Sequence, residues 1–157
     1  MGYPIRGIIQ EDYLYLHNFE TNRWPAGDPI TGYLNCDGSP TKTVCLNAKA
    51  DSTTYQYWQW SFGKRPKEEL YNIKKDPVCL KNLATNPEFN DIKNQLHNQL
   101  FSKLRKQEDP RMFGKGTVFD NYTYADSSGV DFYKRHLKGE KLNFGWVNAS
   151  DFAKIEE

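Results

Sequence analysis

The densest set of hydrogen-bonding side chains lies between residues 35 and 43, within a stretch rich in glycine and proline. A carboxylate, two hydroxyls and an ammonium group follow closely on one another there, at Asp37, Ser39, Thr41 and Lys42. Such groups can hydrogen-bond the oxygens of a sulfate, a phosphate or a sugar. A solvated turn built on Asp-Gly and Ser-Pro accounts for the same residues without a ligand. These four side chains are therefore candidate substrate-binding residues, with the plain turn as the alternative.

Two further candidates for substrate binding come from segments rich in β-forming residues. His17 alternates with Tyr15 on a predicted strand and could face a cleft. Arg6 could add positive charge on the same side as the turn. The indole rings of Trp24, Trp58 and Trp60 could stack on sugar rings, or could belong to the core.

No catalytic or metal-binding motif accompanies these residues. The three histidines, His17, His97 and His136, form no H-x-x-x-H or H-E-x-x-H pair. There is no G-x-S-x-G elbow, no phosphate-binding glycine loop and no C-x-x-C pair. We therefore expect no catalytic residue and no metal site in this chain. Whether Cys36 and Cys45 form a disulfide is open, because the sequence does not give their separation.

The composition narrows the class of protein further. The chain has 157 residues and a net charge of +1, which excludes a strongly basic nucleic-acid binder. No apolar run is long enough to span a bilayer, so neither nucleic acid nor a membrane is an expected partner. The first residues lack a signal-peptide pattern. The chain is therefore either cytoplasmic or cut from a longer protein.

The pattern along the chain predicts a sheet and a helix. Residues 5–10 and 13–19 favour a β-hairpin with a turn longer than two residues, beginning near Gln10, and residues 69–73 favour a short strand. Residues 20–54 are expected to form one long loop, and residues 55–62 a strand or a helix. From Pro87 to Gln107 the apolar residues recur every three or four positions, as on one face of a helix that packs on a sheet. Thr85 or Asn86 would cap that helix.

Several motifs of this sequence occur in an order that resembles the closing region of type I sulfatases. They are the opening YPIRGI with YLYLHN, then ELYNIKKDP at residues 69–77, and Asn82-Leu83-Ala84 before the long helix. The His-Asn-Phe stretch and the Asp-Pro after the helix are most similar to heparan N-sulfatase-like members. The similarity covers roughly residues 3 to 111.

The resemblance implies an α+β fold. It consists of a small antiparallel sheet of about four strands, one long helix packed on it, and an aromatic-rich irregular arm. Residues 1–110 would form the C-terminal subdomain of a sulfatase. Residues 111–157 would form an extended arm that packs on the same domain or on a missing catalytic domain. The family's formylglycine and calcium belong to that catalytic domain. Its C/S-x-P/A-x-R motif is matched by none of Cys36, Cys45 and Cys79.

The function implied is that of a fragment of a secreted sulfatase, a hydrolase of sulfated carbohydrate such as the glycosaminoglycan heparan sulfate. The fragment alone is expected to be inactive. In the parent protein it would form part of the wall of the substrate pocket and add stability. Its partners would be the missing N-terminal catalytic domain and the sulfated carbohydrate. The parent protein would be periplasmic or extracellular, with its signal peptide upstream. The alternative is a stand-alone carbohydrate-binding or protein-interaction module without catalysis.

Overall fold

A computed structural model describes residues 2–123, 129–142 and 144–153. The chain divides into two compact units. The first, called here the sheet unit, comprises Gly2–Thr21 and Arg65–Tyr122; the second, the helical unit, comprises Asn22–Lys64 and the described residues from Thr123 onward. The predicted arm is thus divided between the two units. Its contact with a catalytic domain stays a prediction, and its Tyr124 lies outside the described residues.

The sheet unit is built on three antiparallel strands, β1 (Ile5–Gln10), β2 (Tyr13–Asn18) and β3 (Glu68–Asn72), in the order β1-β2-β3. Gln10 pairs with Tyr13, so the hairpin turn contains only two residues. The prediction of a longer turn was wrong. Glu11 accommodates the tight turn by adopting a φ of 53°, in the left-handed region that non-glycine residues seldom occupy.

One face of this sheet is covered by α3 (Asn90–Lys106), which follows a short 3-10 turn at Pro87–Phe89. Asn86 is the cap of that turn, since its side chain accepts a hydrogen bond from the N–H of Glu88 at 3.1 Å. The helix contributes three leucines spaced four residues apart, and the strands contribute three residues that neighbour one another across the sheet. These core residues are Leu96, Leu100 and Leu104 on the helix, and Ile8, Tyr15 and Leu70 on the strands.

The α+β fold class is confirmed, with an antiparallel sheet and a long helix packed against it. Within the described residues the sheet has three strands, where about four were expected. The helix and the short strand at residues 69–73 were both located correctly. No helix in the described part of the chain is long and apolar enough to cross a bilayer.

The helical unit corrects the prediction of one long loop over residues 20–54. Helix α1 (Pro40–Asn47) begins there, because Ser39 accepts the N–H of Lys42 at 3.1 Å and Pro40 fits the first helical position. The segment 55–62, left open between strand and helix, is helix α2 (Tyr55–Phe62). Among the described residues a further α-helix, α4, spans Phe132–Leu137.

A separate core holds the helical unit together. Trp58 and Phe62, four residues apart on α2, pack with Tyr33 and Ala48. Burial of each large apolar side chain contributes about 2 to 3 kcal/mol. Cys36 and Cys45, which pack against this core, are free thiols, as is Cys79.

Candidate functional site

The sheet unit brings two of the predicted binding residues together. Arg6 on β1 is the direct cross-strand neighbour of His17 on β2, and His17 is the neighbour of Glu68 on β3. Side chains that neighbour one another in this way lie on the same face of a sheet. A guanidinium, an imidazole and a carboxylate thus form one row across all three strands.

Tyr15 connects two members of this row. Its hydroxyl donates to Oε1 of Glu68 at 2.7 Å, and lies 3.3 Å from Nδ1 of His17. A hydroxyl has only one proton to give, so toward His17 the oxygen acts as an acceptor. Nδ1 of His17 therefore carries hydrogen. In the neutral ring this leaves Nε2 as a hydrogen-bond acceptor.

Aromatic rings surround the imidazole of His17. The rings of Phe19 and Phe101 lie 4.7 and 5.0 Å away, and that of His97 lies 6.0 Å away. His17 is 6% exposed. Burial lowers the pKa of His17, and the charges of His97 and Lys67 lower it further, while Glu68 opposes them. The ring therefore favours its neutral form.

Arg6 is held at the edge of the sheet by a buried carboxylate. Its Nε donates to Oδ2 of Asp109 at 2.7 Å, and one terminal nitrogen, Nη1, donates to the carbonyl of Ile5 at 3.0 Å. Burial raises the pKa of Asp109, but hydrogen bonds from the Arg111 N–H and from Arg6 outweigh it, and the net pKa is lowered. Asp109 is thus an ionised anchor that fixes the guanidinium.

A groove lies beside this anchored arginine, between β1 and the last turns of α3. Its volume is about 540 Å³. Its polar lining comes from Arg6, Lys103, Gln107 and Asp109, and its apolar lining includes Leu100 and Leu104. In the described residues no hydrogen bond is made by the second terminal nitrogen of Arg6, Nη2. The groove can therefore offer donors to an anion.

The other four predicted residues lie in the helical unit. Asp37 and Thr41 are exposed, and Ser39 is half-buried at the start of α1. Lys42 is buried: its Nζ donates to the carbonyls of Gly32 (2.8 Å) and Cys36 (2.7 Å), and pairs with Asp151 at 3.1 Å. These contacts give Lys42 a structural role, since they occupy all three of its N–H donors. Substrate binding at this turn stays a prediction.

Sequence reasoning did not identify three residues at this site: Glu68 in the row itself, His97 beside the ring of His17, and Asp109, which anchors Arg6. The alternation of Tyr15 and His17 in the sequence was a usable signal that these two side chains lie on the same face of a strand. Glu68 becomes visible only once the register of β2 and β3 is known. The part of the chain that the structure describes contains no cluster of three or more potential metal ligands.

Comparison with known proteins supports the family resemblance. The chain is similar to an ulvan-active sulfatase of Formosa agariphila, with 33% identity over 101 residues, which are 61% of this chain and 16% of the relative. A second ulvan-active sulfatase of that organism is 28% identical over 107 residues, which are 68% of this chain and 18% of the relative. No protein-family model matches. The chain contains a sulfatase-related region, and spans less than a fifth of the length of these relatives.

Proposed function

We propose that the chain is the C-terminal subdomain of an exported sulfatase that removes sulfate from a carbohydrate. The similarity to two sulfatases supports the class of enzyme. The nucleophile, a formylglycine, and the calcium ion would belong to the catalytic domain. The chain itself would supply a wall of the substrate pocket and add stability. It would be periplasmic or extracellular as part of the parent protein.

The row of Arg6 and His17 is the observation that best supports a substrate-binding role. An anchored guanidinium suits the oxygens of a sulfate group, because its planar donors match them. A neutral imidazole with Nε2 as acceptor suits a sugar hydroxyl. Aspartate, tyrosine and glutamate side chains fix both groups, so little conformational entropy remains to be lost on binding.

The substrate is proposed at the level of sulfated carbohydrate. Heparan sulfate is one candidate substrate, because the His-Asn-Phe stretch resembles that of heparan N-sulfatase-like members. Ulvan is the other candidate substrate, because both similar proteins are ulvan-active sulfatases. A polymer on which sulfatases act must carry sulfate groups. Sulfate release from each of the two by the intact protein decides between them.

Kinetics of the intact protein test the role of the row. Arg6→Lys keeps a positive charge but loses the planar donor pair, and His17→Gln keeps one acceptor. We expect KM to rise about tenfold in each, equivalent to about 1.4 kcal/mol of binding. Lys74→Gln is the control, because Lys74 is 74% exposed and pairs with Asp12 at the hairpin turn. Wild-type KM in folded Arg6 and His17 variants would overturn the assignment.

A further inference from the structure

The helical unit carries a surface where two lysines lie over aromatic rings. The Nζ of Lys49 lies 5.0 Å from the ring centroid of Trp58, and that of Lys64 lies 5.1 Å from the ring of Trp24. The rings of Trp24 and Trp58 are 6.4 Å apart, and the ring of Tyr55 lies 5.2 Å from Trp58. These contacts form one continuous set of residues.

Gln59 completes this surface on α2. Its Oε1 accepts from the hydroxyl of Tyr55 at 3.4 Å, and its Nε2 donates to the carbonyl of Lys64 at 3.4 Å. We call the set the basic aromatic surface. It consists of Trp24, Lys49, Tyr55, Trp58, Gln59 and Lys64.

The charge and exposure of this surface favour an anionic ligand. Lys49 and Lys64 are both exposed, and within the described residues neither forms a salt bridge. Tyr55 is 42% exposed, whereas Trp58 is buried beneath Lys49. Asp51, two residues after Lys49, accepts hydrogen bonds from the N–H and from the hydroxyl of Thr53, each at 2.8 Å.

We propose that the basic aromatic surface binds a sulfated carbohydrate chain, separately from the row of Arg6 and His17. The two ammonium groups would pair with sulfates, the exposed face of Tyr55 would stack on a sugar ring, and the amide of Gln59 would bond a hydroxyl. The choice of a sulfated carbohydrate over other polyanions rests on the substrate class of the proposed function. The surface would hold the polymer while hydrolysis occurs elsewhere.

Binding to the chain itself tests this proposal without any need for hydrolysis. Calorimetric titration would use heparan sulfate, ulvan and a chemically desulfated sample of each. We expect at least one sulfated polymer to bind, with affinity that falls as salt rises from about 50 to about 200 mM, and the desulfated samples to bind far more weakly. Absence of binding to both sulfated polymers would overturn the proposal, as would equal binding of the desulfated ones.

Variants locate the binding surface. The double variant Lys49→Gln/Lys64→Gln should weaken binding about tenfold and flatten its salt dependence. Tyr55→Ala should weaken binding while leaving the salt dependence unchanged. Matched controls are Lys138→Gln and Tyr133→Ala, which change exposed residues at or beside α4. Equal losses in variants and controls would overturn the assignment.

Failure of the binding surface and failure of the proposed sulfatase function can be told apart. Polymer binding by the chain, combined with no sulfate release by the intact protein, would keep this surface and refute the sulfatase. Sulfate release by the intact protein, combined with no polymer binding by the chain, would refute this surface and keep the sulfatase.

Discussion

The hydroxyl of Tyr15 lies 3.3 Å from Nδ1 of His17, two residues further along the same strand. Because that hydroxyl donates its proton to Glu68, it selects which nitrogen of the imidazole carries hydrogen. One buried tyrosine therefore sets the hydrogen-bonding character of the histidine that we propose as a substrate contact.

Replacing this tyrosine tests the network through stability. Tyr15→Phe removes the donor to Glu68 and the acceptor for His17, with little change in volume. We expect the free energy of unfolding to fall by about 1 to 3 kcal/mol, because the partners of a lost buried hydrogen bond stay desolvated. Urea unfolding measures this change. Tyr122→Phe is the control, since Tyr122 is 63% exposed; a similar small effect in both would contradict the network.

The lowered pKa of His17 predicts a pH dependence of stability. Burial, His97 and Lys67 lower that pKa in the folded chain, so the unfolded chain binds the proton more readily below about pH 6.5. The stability that the chain gains from keeping His17 neutral is fully present above this pH. It is lost as the pH falls toward and through the lowered pKa of His17 in the folded chain. Urea unfolding at about pH 7.5 and about pH 5 should show a smaller loss in His17→Phe than in wild type. Equal losses would refute this role of His17.

Lys42 is predicted to stabilise the helical unit. Lys42→Met leaves the buried Asp151 carboxylate without its cation, and should cost about 3 to 5 kcal/mol in urea unfolding. The control, Lys134→Met, breaks a pair with Asp131 whose side chains are 75% and 60% exposed, so about 1 kcal/mol or less is expected. Adding Asp151→Leu to Lys42→Met should restore part of the stability. A change in Lys42→Met no larger than the control would show that the pair is not structural.

The contact between α3 and the sheet predicts a large effect for a core leucine. Leu100→Ala leaves a cavity against the strands and should lower the free energy of unfolding by about 2 to 5 kcal/mol. Leu80→Ala should change it by about 0.5 kcal/mol or less, because Leu80 is 49% exposed. Comparable effects of the two substitutions in urea would contradict the packing.

The elements with a strong local pattern could be predicted from the sequence. Helix α3 was predicted because its leucines recur every four residues. Strand β2 was predicted because residues 13–19 favour a strand and follow another such run after two polar residues. Helix α1 was missed although Ser39 before Pro40 is a start signal. Its weakly apolar sequence gave no periodicity to support that signal.

The candidate binding site in the sheet unit was less predictable, because it depends on how the residues of β1, β2 and β3 pair with one another. Arg6 and His17 were selected by residue type, and only the pairing of β1 with β2 makes them neighbours. Lys42 was selected for its charge, but its burial depends on Asp151, more than a hundred residues away. Local sequence cannot reveal such a partner.

The most direct test of the central claim is the coding sequence upstream of Met1 in the source DNA. The account predicts an open reading frame that continues upstream and encodes a C/S-x-P/A-x-R motif, paired acidic residues for calcium and a signal peptide. A stop codon directly before a true start at Met1 would contradict it, because the chain would then exist without a catalytic domain.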